Sequence, residues 1–187
     1  MTDGNSQKLA PDESIPNLHE LHERHPGLTE FLCKSFAEAA EVCLYRYHEP
    51  PINIDIEYRN QESTRTLNWS VPNGVAKNAW NNRDDATRDG AYAVSLAVLE
   101  AEDNLVTYGR ADTKTGADWW VGPPGGSPDF EDKIRSEVSG TDAGSLSEIR
   151  QRLRRKIQQT LDGNSDTPAI AAVVGFKEKR VVLQHAP

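Results

Sequence analysis

The sequence predicts an α/β fold, a mixed central sheet flanked by helices in the order α-β-β-β-α-β, with an N-terminal helix and β-hairpin extension ahead of it. Three observations carry this expectation. Residues 84–102 and 145–163 each repeat apolar side chains at helical intervals. Three short strand-like segments, 105–108, 117–121 and 133–139, lie between those helices. Residues 169–174 form an unbroken apolar run, the mark of a strand covered on both faces.

The first core helix is read from Tyr92, Val94, Leu96, Val98 and Leu99 set among alanines. The glycine- and proline-rich stretch 122–126 suits neither helix nor central strand and separates the second and third strands. In the second helix Leu146, Ile149, Leu153 and Ile157 make the apolar stripe, Ser145 and Glu148 form a capping-box pattern, and Gly163 closes it. Val181 to Leu183 reads as an outer strand.

Upstream, residues 17–25 form a short helix ended by Pro26-Gly27. Thr29 caps the next, whose apolar face includes Phe31, Leu32, Phe36, Ala39, Ala40, Cys43 and Leu44. Ile52, Ile54 and Ile56 alternate with polar residues, as do Leu67, Trp69 and Val71, and residues 60–63 supply the turn of a hairpin. The chain thus divides into a polar, mobile tail at 1–16, a helical and hairpin extension at 17–83 that packs on the core, and the α/β core at 84–187.

Composition limits the function classes. The 187 residues carry 29 acidic and 21 basic side chains, a net charge of −8. General affinity for nucleic acid or anionic membrane is therefore excluded, and any nucleic-acid contact requires a local basic patch. No apolar run approaches the roughly 18 residues of a membrane span, and residues 1–14 contain no signal-peptide core, so a cytoplasmic address is expected. Cys33 and Cys43 fall in one helix about 15 Å apart, beyond disulfide reach, and read as small buried groups.

The residues with chemistry lie on the middle strands. Alternation places Asp118 and Trp120 on one face of the second strand, and Lys133, Arg135, Glu137 and Ser139 on one face of the third. If the two strands pair, Asp118 and Glu137 approach each other, and a divalent cation with oxygen ligands such as Mg²⁺ would offset their repulsion. His19, His22 and His25 are evenly spaced, but stepping around a short helix they read as a solvated face. Arg150, Arg152, Arg154, Arg155 and Lys156 stand out in an acidic chain, as a phosphate-contacting stripe or as a solvated helix exterior.

The element order over 84–174, with an acid on each of the second and third strands, resembles the PD-(D/E)XK nuclease core, the restriction-endonuclease-like fold. The resemblance implies that Asp118 and Glu137 bind Mg²⁺, assisted by an acid early in the first core helix, Asp85 or Asp89. Ser139 stands where the motif lysine is expected, and no proline precedes Asp118. Lys156 is the candidate replacement and Lys133 the second, while the Pro128-Asp129 and Glu131-Asp132-Lys133 letters lie too close together to form the same site. Arg152, Arg155 and Gln159 on the basic helix, with Trp120 as a stacking surface, would contact DNA or RNA. Proteins of this resemblance often belong to bacterial restriction, defence or mobile-element systems. The missing lysine and the acidic charge leave a second reading open: a catalytically inactive adaptor or regulatory subunit that binds a protein partner through its N-terminal helices.

Overall fold

The computed structural model describes residues 13–112, 114–126, 129, 133–163 and 166–187. Helix α1 spans Glu30–Tyr45, followed by strands β1 (Ile52–Tyr58) and β2 (Gln61–Leu67), the short helix α2 (Gly74–Ala79) and the long helix α3 (Arg83–Asp103). Then come β3 (Val106–Arg110), β4 (Trp119–Gly122), β5 (Ile134–Thr141), α4 (Leu146–Asp162), β6 (Ala169–Gly175) and β7 (Arg180–His185). The strands form one seven-stranded mixed sheet in the order β2-β1-β7-β6-β5-β4-β3. The expected α/β class and the element order of the core are what the chain adopts.

Two cores follow from the alternation of strand residues. Along β6, Ile170, Ala172 and Val174 face α1 and α3, whereas Ala171 and Val173 face Ile149 and Leu153 of α4. Every residue of β6 is buried, as its apolar run requires. β5 and β6 are parallel, with α4 as their crossover, while β3, β4 and β5 form an antiparallel meander. Ser145 and Glu148 make the capping box at the start of α4.

Several local expectations are corrected. β7 is an interior strand, because β1 pairs with it in parallel and extends the sheet by the hairpin. Val181 and Leu183 therefore face one core and Val182 the other. The hairpin turn is Arg59-Asn60, both with positive φ, and β2 ends at Leu67 rather than running to Val71. Asn73 caps α2, which the alternation at Trp69 and Val71 had masked. The short helix expected over 17–25 is a 3₁₀ helix at 18–23. Phe31 is 80% exposed: it lies in the first turn of α1, where no neighbouring element covers it. Of the tail, residues 1–12 lie outside the described set, but Ile15 is buried and its N–H donates to the Thr66 carbonyl at 2.8 Å. Cys33 and Cys43 are free and buried. No helix among the described residues is long and apolar enough to cross a membrane.

Helices α1 and α3 pack closely because Gly90 has no side chain. A Cβ there would lie 2.8 Å from the backbone nitrogen and Cα of Ala40, atoms that cannot swing aside. Gly90→Ala is expected to destabilise the fold by about 1–3 kcal/mol through forced separation of the helices. Equilibrium urea denaturation measures this, and an unchanged midpoint would contradict the packing.

Candidate functional site

The β4–β5 register sets Trp119 opposite Ser136 and Trp120 opposite Arg135. One residue further along, Asp118 comes opposite Glu137, so the alternation that buries Trp119 in the core brings the two acids together. Asp118 precedes β4 but is fixed by its backbone: its N–H donates to the Ser136 carbonyl at 2.9 Å, and its carbonyl accepts from the Ala111 N–H at 3.0 Å. Its carboxylate is held at both oxygens, Oδ1 accepting from the Tyr92 hydroxyl at 2.8 Å and Oδ2 from the Val138 N–H at 2.9 Å.

Glu137 has only 4% of its side chain exposed, and its Oε1 accepts from Lys156 Nζ at 2.5 Å. Burial raises its carboxyl to about 7, helped by the Asp118 carboxylate within hydrogen-bond reach and opposed by Lys156. Tyr92 is pushed up to about 12 by burial and by Asp118, so its hydroxyl remains a donor at neutral pH. Lys156 also donates to Gln159 Oε1 at 3.1 Å, and its side chain remains 25% exposed to the cleft.

These groups lie in an open cleft of about 1110 Å³ between the N-terminal half of α3 with residues 110–112 and 114–118 on one side, and the end of β5, residues 142–144 and α4 on the other. The walls meet through backbone contacts that only glycine permits. Gly116 has φ +69°, and a Cβ there would lie 2.5 Å from the Gln159 carbonyl. Behind the cleft, the buried guanidinium of Arg135 donates to the carbonyls of Thr115, Thr160 and Thr167, tying the loop before Asp118 to the end of α4.

The cleft gathers Asp118, Glu137, Lys156, Arg152 and Gln159, and leaves out other expected residues. Asp85 is half-exposed and does not line the cleft, and it pairs with Arg88, which does, at 3.2 Å. Asn82 caps α3, and this sets the helix phase so that Asp84, about 100° around the helix from Asp85, lines the cleft instead. Asp89 is held by Arg88 at 2.7 Å. Trp120 lies one strand pair further from the cleft, on the face opposite the buried Trp119. Arg155 is exposed off the line of Arg152, Lys156 and Gln159 and does not reach the cleft. Arg150 turns instead to Glu57 of β1, at 2.9 Å.

Lys133 sits before β5, buried with its ammonium 3.7 Å from the Tyr108 ring centroid, and does not line the cleft. Pro128, Glu131 and Asp132 lie outside the described residues. The three histidines do not form a solvated face: His25 is fully buried between Glu100 and the Thr107 N–H, and His19 contacts Glu41 at 3.0 Å.

Arg110 and Tyr92 line the same cleft without having been expected there. Tyr92 reads as an ordinary apolar position of a core helix. Arg110 falls just beyond the predicted 105–108 strand, after a register shift between Thr107 and Gly109 that alternation alone does not reveal.

Comparison with known proteins returns no match. No family model, no curated protein and no solved structure resembles the chain significantly.

The chemistry of the cleft therefore rests on its own groups. Among the described residues, no cluster of three or more His, Cys, Asp and Glu side chains could hold a metal. Two adjacent carboxylates remain, one of them raised by burial and then by its neighbour, an oxygen-only pair of the kind a hard cation that keeps several of its waters could use. The Lys156 ammonium, within hydrogen-bond distance of Glu137, supplies one fixed positive charge.

Proposed function

We propose that the protein is a divergent Mg²⁺-dependent phosphodiesterase acting on nucleic acid, with Asp118 and Glu137 as metal ligands and Lys156 in place of the motif lysine. The observation that carries this reading is the convergence of Lys156, from α4, on Glu137 beside Asp118. Ser139 offers no charge, and a cation from the neighbouring helix reaches the position where it is needed. The order of α3, β3, β4, β5, α4 and β6 supports the PD-(D/E)XK resemblance.

When bound, Mg²⁺ would neutralise charge on the scissile phosphodiester and lower the pKa of water. The chain's own residues prepare for that. Tyr92 and the Val138 N–H fix the Asp118 carboxylate, so little reorganisation is needed when it takes up a cation. Burial and Asp118 hold the Glu137 proton near neutrality, so a cation displaces it readily above pH 7. Lys156 keeps its ammonium at the cleft, where phosphate charge develops.

The reading is tested by incubating the protein with single- and double-stranded DNA and RNA in Mg²⁺, Mn²⁺ or EDTA, beside Asp118→Asn and Glu137→Ala. Cleavage is expected only with metal and is expected to fall by about 10³-fold or more in each variant. Absence of cleavage on every substrate and metal would overturn it. The second reading, an inactive adaptor, draws on the exposed Phe31 at the start of α1 and Val75 on α2. It predicts no cleavage in that assay and loss of partner binding in Phe31→Ser.

A further inference from the structure

We infer that Arg110 is a substrate-binding residue, gripping a phosphate beside the scissile one on the wall of the cleft opposite α4. This rests on the phosphodiesterase reading above and extends it to the class of substrate: a polynucleotide strand rather than a single nucleotide.

The register shift between Thr107 and Gly109 turns the end of β3, and Arg110 comes opposite Trp119. Its guanidinium lies 4.8 Å from the Tyr92 ring centroid and 4.5 Å from that of Trp119. Those two rings meet edge to face at 85°, and Phe36 packs against both. Trp119 is fully buried, so the platform is rigid, and a planar cation stacked on it loses little freedom on binding.

The stacking leaves the cation available. Arg110 is 51% exposed and lines the cleft, and its one ion pair among the described residues is a 3.9 Å approach to Asp118, too long for a hydrogen bond. Arg88 on the same side is different, being closed off by Asp85 and Asp89. On the other wall Arg152 forms no ion pair among the described residues. Two guanidinium groups with no carboxylate within hydrogen-bond distance among the described residues thus flank the Asp118, Glu137 and Lys156 group, one from each side. Their fork geometry matches phosphate oxygens. A strand laid across the cleft would offer phosphates to both walls, while a mononucleotide would reach only one.

The test is binding of fluorescein-labelled single- and double-stranded DNA and RNA, read by anisotropy with Ca²⁺ replacing Mg²⁺, across a salt series. Arg110→Gln is expected to weaken binding about tenfold and to reduce the slope of log K against log salt by about 0.7–0.9, the loss of one phosphate contact. Arg110→Lys is expected to keep the wild-type slope. A merely structural role would lower affinity or thermal stability without changing the slope, and that result overturns the inference. In parallel, the wild-type protein is treated with phenylglyoxal and mapped by mass spectrometry. Arg110 is expected to be modified when free and protected by oligonucleotide, while Arg154 reacts equally in both. Equal modification of Arg110 with and without oligonucleotide also overturns it. If the wild type binds no nucleic acid under any condition, the phosphodiesterase reading itself falls. Binding with an unchanged slope in Arg110→Gln removes only the role of Arg110.

Discussion

Glu137→Gln is expected to abolish metal-dependent cleavage and, at pH 8, to make the folded protein more stable than the wild type. The wild-type carboxyl is raised to about 7 from an ordinary value near 4.5, mainly by burial and then by Asp118. Between those two pH values the native state holds a proton that the unfolded chain has released. Stability therefore falls as pH climbs through this window, and the penalty is complete above pH 7. Glutamine keeps the shape and cannot ionise, so it escapes the penalty. Lys156 loses its anionic partner but is partly exposed and can hydrate, which reduces the gain. A net stabilisation of about 1–2 kcal/mol at pH 8 is expected, shrinking toward zero at pH 4. Urea denaturation at the two pH values measures it. A variant destabilised at pH 8 would instead identify Glu137 and Lys156 as a structural ion pair. Mg²⁺ supplies the complementary readout: it should raise the melting temperature of the wild type at pH 8 and not that of the variant. Lower stability of the wild type at pH 8, relieved by added Mg²⁺, is the result expected if the proposed metal site is real.

The parts of this fold legible in the sequence are those set by neighbours along the chain. The capping box at Ser145 and Glu148, the buried run of β6 and the stripe of α4 are each specified within a few residues. The approach of Asp118 to Glu137 is legible for the same reason, since a short antiparallel pair and two-residue alternation are enough to derive it. Lys156 follows from helical spacing once the stripe is known. What depends on distant partners leaves no such trace. That β7 lies inside the sheet depends on β1, more than a hundred residues earlier, choosing it as a parallel neighbour. The choice of Asp84 over Asp85 depends on the single residue at which Asn82 starts α3. His25 reads as a surface residue because its partner, Glu100, belongs to another helix. Arg110 escapes because one irregularity in β3 re-aims it.

Arg135→Met is expected to cost about 3–5 kcal/mol of folding stability and to weaken Mg²⁺ binding although Arg135 lies outside the cleft. Arg135 is buried with no carboxylate bonded to its guanidinium among the described residues, and burial lowers its pKa. It remains folded into the protein because it donates to Thr167 from two nitrogens, at 3.0 and 2.7 Å, and to Thr115 and Thr160 from a third, at 2.5 and 3.1 Å. Methionine fills much of the space but removes those donors from carbonyls at least partly shielded from solvent, each a desolvation cost of about 1–3 kcal/mol where water cannot enter. The three carbonyls belong to the loop leading to Asp118, the last turn of α4 and the entry to β6. Removing their common donor therefore frees the loop and the helix that together hold Asp118 and Lys156 on either side of Glu137. Arg135→Lys, with one ammonium in place of a fork, can reach at most part of this set and is expected to fall between wild type and methionine. Denaturation midpoints and Mg²⁺ titration by calorimetry on the same three proteins check both effects. A methionine variant that loses stability but binds Mg²⁺ as tightly as the wild type would show that Arg135 supports the fold without positioning the site.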